Sequence, residues 1–178
     1  MQVFEKRNAS LAKPERHPSS VAPELHLLRA VERQRRRRHR LRQGLRILGA
    51  LSLFAVGAVH LQQYLTLYSA IPTIGRLFVL NFAGATAIGV GLLAPVERVL
   101  GRRGGDAVAL LALGGVGLAA SAFVFLLVSE RTPLFGFMEP GYDPPAIMAA
   151  RVAELATVGL LGSFLVAHLS SRVAAGRR

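Results

Sequence analysis

The stretch RQRRRRHRLRQ, residues 33–43, is followed almost directly by ILGALSLFAVGAVHLQQYLTLY, residues 47–68. The second part is long enough to cross a hydrocarbon core of about 30 Å, which requires about 20 apolar residues in a helix. A dense cationic block beside a first apolar segment keeps that end of the segment in the cytoplasm. The stretch therefore predicts a retained membrane anchor and sets the orientation of the segments that follow.

Three further apolar segments of similar length follow this anchor. The predicted spanning helices cover residues 46–68, 71–93, 107–129 and 146–170. Hydrophobic residues make up 52% of the 178 residues, which is the composition of a membrane protein. We expect an all-α, polytopic membrane protein built as a bundle of four transmembrane helices.

Positive charge is unevenly divided between the connections. Thirteen of the 22 lysines and arginines precede Ile47, and the formal net charge is +12. The second connection contains Arg98, Arg102 and Arg103, whereas the first connection, SAIP, contains no basic residue. Because short cytoplasmic loops hold most of the lysine and arginine, both chain ends are predicted to be cytoplasmic. The bias toward Ala, Gly, Leu and Arg suggests a GC-rich genome, and the inner (plasma) membrane of a bacterium is the expected location.

The segments outside the bundle are polar or basic. Residues 1–22 are predicted to form a flexible cytoplasmic tail, residues 23–45 a basic amphipathic juxtamembrane helix, and residues 171–178 a second basic cytoplasmic tail. Anionic lipid headgroups are the expected partners of the basic block, and nucleic acid is not expected because no interleaved aromatic residues or recognition fold accompany it. The predicted headgroup contacts are Arg35, Arg36, Arg37, Arg38, Arg40 and Arg42.

Sequence motifs for catalysis are lacking. The chain has no cysteine, which excludes disulfides, thiolate metal sites and CxxC redox chemistry. It contains no GxSxG, HExxH, Walker or Rossmann pattern, and GRRGGD at residues 101–106 is a turn between helices. An enzyme is therefore not indicated, and neither a metal nor a cofactor is predicted.

Polar side chains inside the predicted spans lie at similar depths. With a rise of about 1.5 Å per residue, His60, Asn81 and Glu154 all lie about 12–15 Å below the membrane surface opposite the basic block. Ionisable residues at such depth are costly and are functional candidates. We predict a polar cluster in this outer half of the bundle, with Arg76 at its rim. Its members are His60, Gln63, Tyr64, Asn81, Arg151 and Glu154.

Two interpretations of the cluster stay open. A buried carboxylate requires a partner, and either Arg151 or His60 would supply one for Glu154. The pairing then either holds three helices in register or forms a site for a ligand, an ion or a proton. A haem between His60 and His168 is disfavoured, because His168 lies near the cytoplasmic end, about 20 Å from His60 along the membrane normal. Haem at His60 would require a different second ligand.

The third connection, residues 129–145, combines aromatic and acidic residues. Glu139, Tyr142 and Asp143 are its candidate site residues. The carboxylates resemble cation ligands, but their number and spacing are not those of a calcium loop. We expect a rigid cap at the membrane surface. Within the spans, small residues four apart predict close helix packing. The pairs are Ala85 and Gly89, Ala87 and Gly91, Gly115 and Ala119, Gly117 and Ser121, and Gly159 and Ser163.

The segments HLQQYLTLYSAIPTIGRLFVLN, residues 60–81, and TPLFGFMEPGY, residues 132–142, together with Glu154, carry a family resemblance. Between Gly44 and Ser170 the chain resembles uncharacterised four-span integral membrane proteins of actinobacteria. The resemblance implies no activity. It implies that HLQQY, IPTIG and GFMEPGY belong to one site, and the depth argument leads to the same grouping for the first two.

These observations lead to three functional expectations. The first is a small non-enzymatic membrane protein, an accessory or scaffolding component that packs against another membrane protein or a second copy of itself. The alternative is a small transporter or a protein that binds a ligand, ion or proton through Glu154 and His60. The third is a redox protein that holds haem or quinone near His60.

Overall fold

The computed structural model describes residues 21–139 and 141–176. The five α-helices of this part are α1 (Val21–Gln63), α2 (Pro72–Leu93), α3 (Val96–Leu100), α4 (Gly104–Ser129) and α5 (Pro144–Gly176). A π-helical turn, Tyr64–Tyr68, continues α1, and a 3-10 turn, Gly101–Arg103, joins α3 to α4. The described residues contain no β-strand, so the predicted all-α class is confirmed for them.

Four helical segments of the described part are long and apolar enough to cross a membrane. They are Arg29–Tyr68, Pro72–Leu93, Val96–Ser129 and Pro144–Arg172. Each contains one predicted span nearly or completely, so four helices of membrane-spanning length are confirmed. Two helices are longer than predicted: α1 begins at Val21, and α5 runs to Gly176. The predicted juxtamembrane helix and first span are thus one continuous helix.

The chain divides into two compact units, residues 1–38 and residues 39–178. The predicted tail at residues 1–22 lies outside the described residues except for its last two positions, and so do residues 177–178 of the second tail. In the first unit Arg36 donates to Glu32 at 2.6 Å, one helical turn away. Five of the six arginines predicted to contact headgroups are exposed, and Arg42 is half-buried.

Residues 39–178 enclose an apolar core in which α1, α2, α4 and α5 meet. Its largest fully buried apolar side chains include Leu53, Leu92 and Leu161. Gly115 lies so close to α5 that an added Cβ atom would come within 2.7 Å of the Leu161 side chain. Close approach at small residues therefore determines how these helices pack, as expected where helices have no hydrophobic force between them.

The predicted small-residue pairs divide into interior and surface pairs. Gly89 is buried, and a Cβ atom there would lie 2.7 Å from the Phe54 ring. By contrast, Gly117 and Gly159 are exposed, with nothing from the described residues within 4 Å of an added Cβ atom. The last two pairs thus face outward instead of packing in the bundle.

The two ends of the unit 39–178 differ in chemistry. We call the end that holds the α4–α5 connection the loop end, and the opposite end, which holds Arg42 and Arg46, the basic end. At the basic end Arg46 donates to both carboxylate oxygens of Glu97 at 2.8 Å and to the carbonyls of Leu92 and Ala94. One guanidinium thereby pairs with a carbonyl in the last turn of α2, which has no partner within the helix, and with that of Ala94, the residue after the helix.

Candidate functional site

A cavity of about 270 Å³ lies toward the loop end, between α1, α2, α4 and α5. Most of its lining side chains are apolar, including Leu77, Phe78 and Ile147. Its polar lining residues are His60, Gln63, Tyr68, Asn81, Ser121, Ser129, Glu139 and Glu154. An apolar cavity with a few convergent polar groups is the usual form of a small-molecule site.

His60 and Glu154 are neighbours in the lining of this cavity. The Nε2 atom of His60 lies 3.8 Å from Oε1 of Glu154. His60 Nδ1 lies 2.9 Å from the carbonyl of Val56, and because a carbonyl only accepts, Nδ1 carries the proton of that bond. Phe78 contacts the imidazole ring, with centroids 5.1 Å apart. The helix backbone and this aromatic contact therefore hold Nε2 toward the carboxylate.

Glu154 is almost entirely enclosed, with 1% of its surface exposed. The distance of 3.8 Å between its Oε1 atom and Nε2 of His60 is longer than a hydrogen bond. The second carboxylate oxygen, Oε2, is buried and has no hydrogen-bond partner in the described part of the chain. A buried carboxylate oxygen without a donor is unusual, because such groups cost free energy to leave unpaired.

Asn81 brings a second unpaired acceptor to the same cavity. It lies on α2, and its side-chain oxygen Oδ1 is buried without a partner among residues 21–139 and 141–176. The predicted common depth of His60, Asn81 and Glu154 agrees with this arrangement, since all three line one cavity. The structure thus brings together residues from three helices and leaves two oxygen atoms available to a donor.

A network around Glu139 closes the cavity at the loop end. Glu139 is 6% exposed and accepts hydrogen bonds from the hydroxyl of Tyr68 and from the backbone N–H groups of Gly141 and Tyr142. The Tyr68 ring stacks on Phe78 at 4.8 Å and meets Phe137 edge-on at 5.5 Å. Unlike Glu154, this carboxylate is fully paired, so it stabilises the closure and has no need of a ligand.

A tight turn positions Phe137 in this closure. Leu134 and Phe137 exchange two backbone hydrogen bonds of 2.7 and 3.0 Å. Between them Phe135 and Gly136 have φ angles of 52° and 80°. These are the positive values of a type I′ turn, in which glycine is favoured.

Gln63 and Asp143 form a second link at the loop end. The Gln63 side-chain amide donates to Asp143 at 2.8 Å, and the other carboxylate oxygen of Asp143 accepts from the N–H of Ala146 at 3.2 Å. Asp143 therefore caps the start of α5, as Asp commonly does at helix N-termini. Within the described residues, no group of three or more His, Cys, Asp or Glu is placed to hold a metal ion.

Five of the predicted site residues do not line the cavity: Asp143, which caps α5, and the four described next. Arg151 donates to both carboxylate oxygens of Glu130 at the end of α4, and this pair, not Arg151 with Glu154, is the ion pair that forms. Arg76 is exposed, and Tyr142 contributes only its backbone N–H to the network. Tyr64 is half-buried against Gly75 and does not line the cavity.

The π-helical turn explains why Tyr68 lines the cavity where Tyr64 was expected. In an α-helix, Gln63 and Tyr64 follow His60 by three and four residues, so they lie beside it on the same face. A π turn bonds residues five apart, so it brings Tyr68 over Gln63. Sequence reasoning also missed the hydrogen bond of 2.8 Å from Thr157 to Ser52, one turn from Glu154. The sequence signal for a polar contact here was the spacing, since Thr157 follows Glu154 by three residues.

His168 lies in a separate cluster at the basic end. It is buried, with Nδ1 2.9 Å from the Arg42 guanidinium, and Arg42 also donates to Ser171 at 3.2 Å. The sequence placed His168 near the cytoplasmic end of its span but gave no sign of this burial, and α5 continues for two further turns, to Gly176. His60 and His168 thus lie toward opposite ends of the unit 39–178.

Comparison of the sequence with protein-family models, curated proteins and solved structures finds no match.

Proposed function

We propose that this chain is a multi-pass membrane protein that binds a small ligand in the cavity between His60, Asn81 and Glu154. Both chain ends lie in the cytoplasm in this proposal, so the basic end faces the cytoplasm and the loop end faces the other side. The arginines of the basic end support this orientation, since cytoplasmic loops are rich in arginine and lysine. They include Arg42, Arg46, Arg102, Arg103 and Arg172.

The observation that carries the proposal is the state of Glu154. Its side chain is 1% exposed, borders a cavity of about 270 Å³ and keeps one oxygen without a donor from the described residues. A carboxylate that served only to join helices would be expected to have its oxygens satisfied, as those of Glu139 are. An unpaired buried acceptor beside open space fits a group that a ligand completes.

Energetics favour the same interpretation. Breaking or incompletely pairing a buried charge destabilises a protein, and apolar residues of similar volume often replace a buried ion pair without loss. A purely structural contact between α1 and α5 is already present one turn away, where Thr157 donates to Ser52. The Glu154 carboxylate therefore adds a polar group that the packing of these helices does not require.

The proposal is tested with 1-aminoanthracene, a small fluorescent amine, titrated against purified protein in nanodiscs. Empty nanodiscs provide the partitioning background. Ala150 lines the cavity and is buried, whereas its neighbour Ala149 is exposed and does not line the cavity. We expect saturable binding of one probe per chain to the wild type and to Ala149→Phe, and none to Ala150→Phe.

Both variants must elute as monodisperse species, which separates a filled cavity from a misfolded protein. If Ala150→Phe overpacks α5 and fails this test, Ala150→Leu replaces it as the smaller filling substitution. Binding that never saturates above the empty-nanodisc background, or that survives in a folded cavity-filling variant, would show that the cavity is not a ligand site.

A role as an accessory component is the second candidate, and the outward-facing small residues favour it. Gly159 and Ser163 lie one turn apart on an exposed face of α5, and Gly117 and Ser121 do so on α4. Such faces allow another membrane helix to approach closely. Purification in mild detergent tests this role: a larger complex should be retained by the wild type and lost in Gly159→Leu. A monomeric wild type would exclude it.

A further inference from the structure

The cavity opens sideways between α2 and α4. Of its lining residues, all in the described part of the chain, only Leu80, Ser121 and Phe125 are exposed. Leu80 lies on α2 and is 64% exposed, and Phe125 lies on α4 and is 43% exposed. The mouth therefore lies between α2 and α4, on an outer surface that would face lipid. Its rim is mainly apolar.

The loop end of the cavity is closed. Tyr68, Phe137 and Glu139 cover it through ring contacts and a hydrogen bond, and both Tyr68 and Glu139 are buried. A ligand from the aqueous side would have to break this network, whereas one dissolved in the bilayer meets an open mouth. The route of access is thus from the hydrocarbon region.

The polar lining selects for a donor. The unpaired atoms are acceptors, Glu154 Oε2 and Asn81 Oδ1. The charged or titratable lining groups are Glu139, Glu154 and His60, and no lysine or arginine of the described residues lines the cavity. An anionic head would enter this low-dielectric cavity without a lysine or arginine to compensate its charge, which is costly.

The volume limits how much of a ligand is enclosed. About 270 Å³ is slightly below the range of about 300–1,000 Å³ typical of pockets that bury a drug-sized molecule. A head group and the first part of a chain would fit inside. The remainder would leave through the mouth, over Leu80 and Phe125.

We infer that the cavity takes an amphipathic, lipid-soluble molecule whose head donates a hydrogen bond, a hydroxyl or an amine, and which enters from the bilayer between α2 and α4. This inference rests on the proposed ligand-binding function and adds the class of ligand and its route. In the bound state the head donates to Glu154 and Asn81, and the tail remains partly in lipid.

The head-group preference is tested with four photoreactive probes in nanodiscs. All carry the same twelve-carbon chain with a diazirine, and they differ only in the head: alcohol, amine, methyl ketone or carboxylic acid. After illumination, labelled peptides are located by mass spectrometry. We expect saturable labelling of α2 and α4 around the cavity by the alcohol and the amine, about tenfold stronger than by the ketone and the acid at equal concentration.

The route is tested with tryptophan substitutions at two exposed positions of α2, one at the mouth of the cavity and one away from it. Leu80→Trp narrows the mouth, whereas Val90→Trp changes an exposed residue of the same helix that does not line the cavity. We expect labelling by the alcohol probe to slow in Leu80→Trp and to match the wild type in Val90→Trp. The probe series and this pair together address head group and route separately.

Equal labelling by all four heads, or stronger labelling by the ketone or the acid, would overturn the inferred ligand class. Unchanged labelling rates in Leu80→Trp would overturn the route. In both cases saturable binding of 1-aminoanthracene that Ala150→Phe abolishes would leave the proposed function intact. If 1-aminoanthracene also fails to bind saturably, the proposed function itself is wrong.

Discussion

Replacing Glu139 or Glu154 with methionine is expected to affect stability differently: Glu139→Met lowers the free energy of unfolding, and Glu154→Met does not. Glu139→Met removes an acceptor shared by the Tyr68 hydroxyl and two backbone N–H groups. Glu154→Met removes a carboxylate with one unpaired oxygen and a contact of 3.8 Å to His60. Methionine has nearly the same length and adapts its shape, so neither variant leaves a large void.

The magnitudes follow from the pairing of each carboxylate. Hydrogen bonds of side chains in membrane proteins contribute about 0.6 kcal/mol on average and up to about 1.7 kcal/mol, so loss of the three bonds to Glu139 should cost about 2–5 kcal/mol. An unpaired buried polar group costs about 1–3 kcal/mol, which Glu154→Met relieves while giving up only the contact with His60. We expect Glu154→Met to be at least as stable as the wild type.

The free energy of unfolding is measured in mixed micelles titrated with SDS, with helicity as the signal. Both variants and the wild type are compared at the same pH and detergent ratio. If Glu154→Met loses as much stability as Glu139→Met, then Glu154 is a structural lock between α1 and α5, and the argument from its unpaired oxygen is refuted.

Three further predictions follow from the ends and the packing of the bundle. In intact cells a membrane-impermeant maleimide should label Tyr142→Cys but should label Arg102→Cys only after permeabilisation, because the basic end is proposed to be cytoplasmic. The chain has no other cysteine to react. The reverse pattern would contradict the orientation. Arg46→Met should lower the free energy of unfolding by about 2 kcal/mol, since its guanidinium bonds a carboxylate and two carbonyls; an unchanged value in the SDS titration would count against those bonds. Gly104→Ala should destabilise the protein by about 1–3 kcal/mol, because the new Cβ atom would lie 2.4 Å from a backbone atom. Gly159→Ala places its Cβ atom in open space on a helix, so it should be neutral or should stabilise the protein by up to about 1 kcal/mol. Equal effects of the two glycine substitutions in thermal unfolding would contradict the packing.

Helix content and the relative positions of the polar groups along the helices could be predicted from the sequence, because both follow from the lengths of the apolar segments. A spanning helix requires about 20 apolar residues, and a rise of about 1.5 Å per residue assigns a depth to each position. That arithmetic placed His60, Asn81 and Glu154 at one level, and all three line the same cavity. Which of them bind a ligand is a separate question that depth does not address.

Rotation about the helix axes and the path of the loop could not be predicted in this way. The π turn at Tyr64–Tyr68 shifts which tyrosine faces inward, and no proline or glycine within it marks the change. Arg151 is three residues from Glu154 on its own helix, yet it pairs with Glu130, which a turn at the end of α4 brings close. Partner choice across a loop depends on geometry that spacing along the chain does not encode.

The most direct test of the ligand site is the affinity of 1-aminoanthracene for Glu154→Gln compared with Glu130→Gln in nanodiscs. Glu130 is a carboxylate at the same end of the unit that does not line the cavity. Glu154→Gln puts an amide N–H donor in place of one acceptor oxygen, and a typical hydrogen bond contributes about 0.5–1.5 kcal/mol. This variant should therefore weaken binding by about two- to tenfold, whereas Glu130→Gln should leave it unchanged. Equal affinities of the two variants and the wild type would contradict the assignment of Glu154 as the polar anchor of the site.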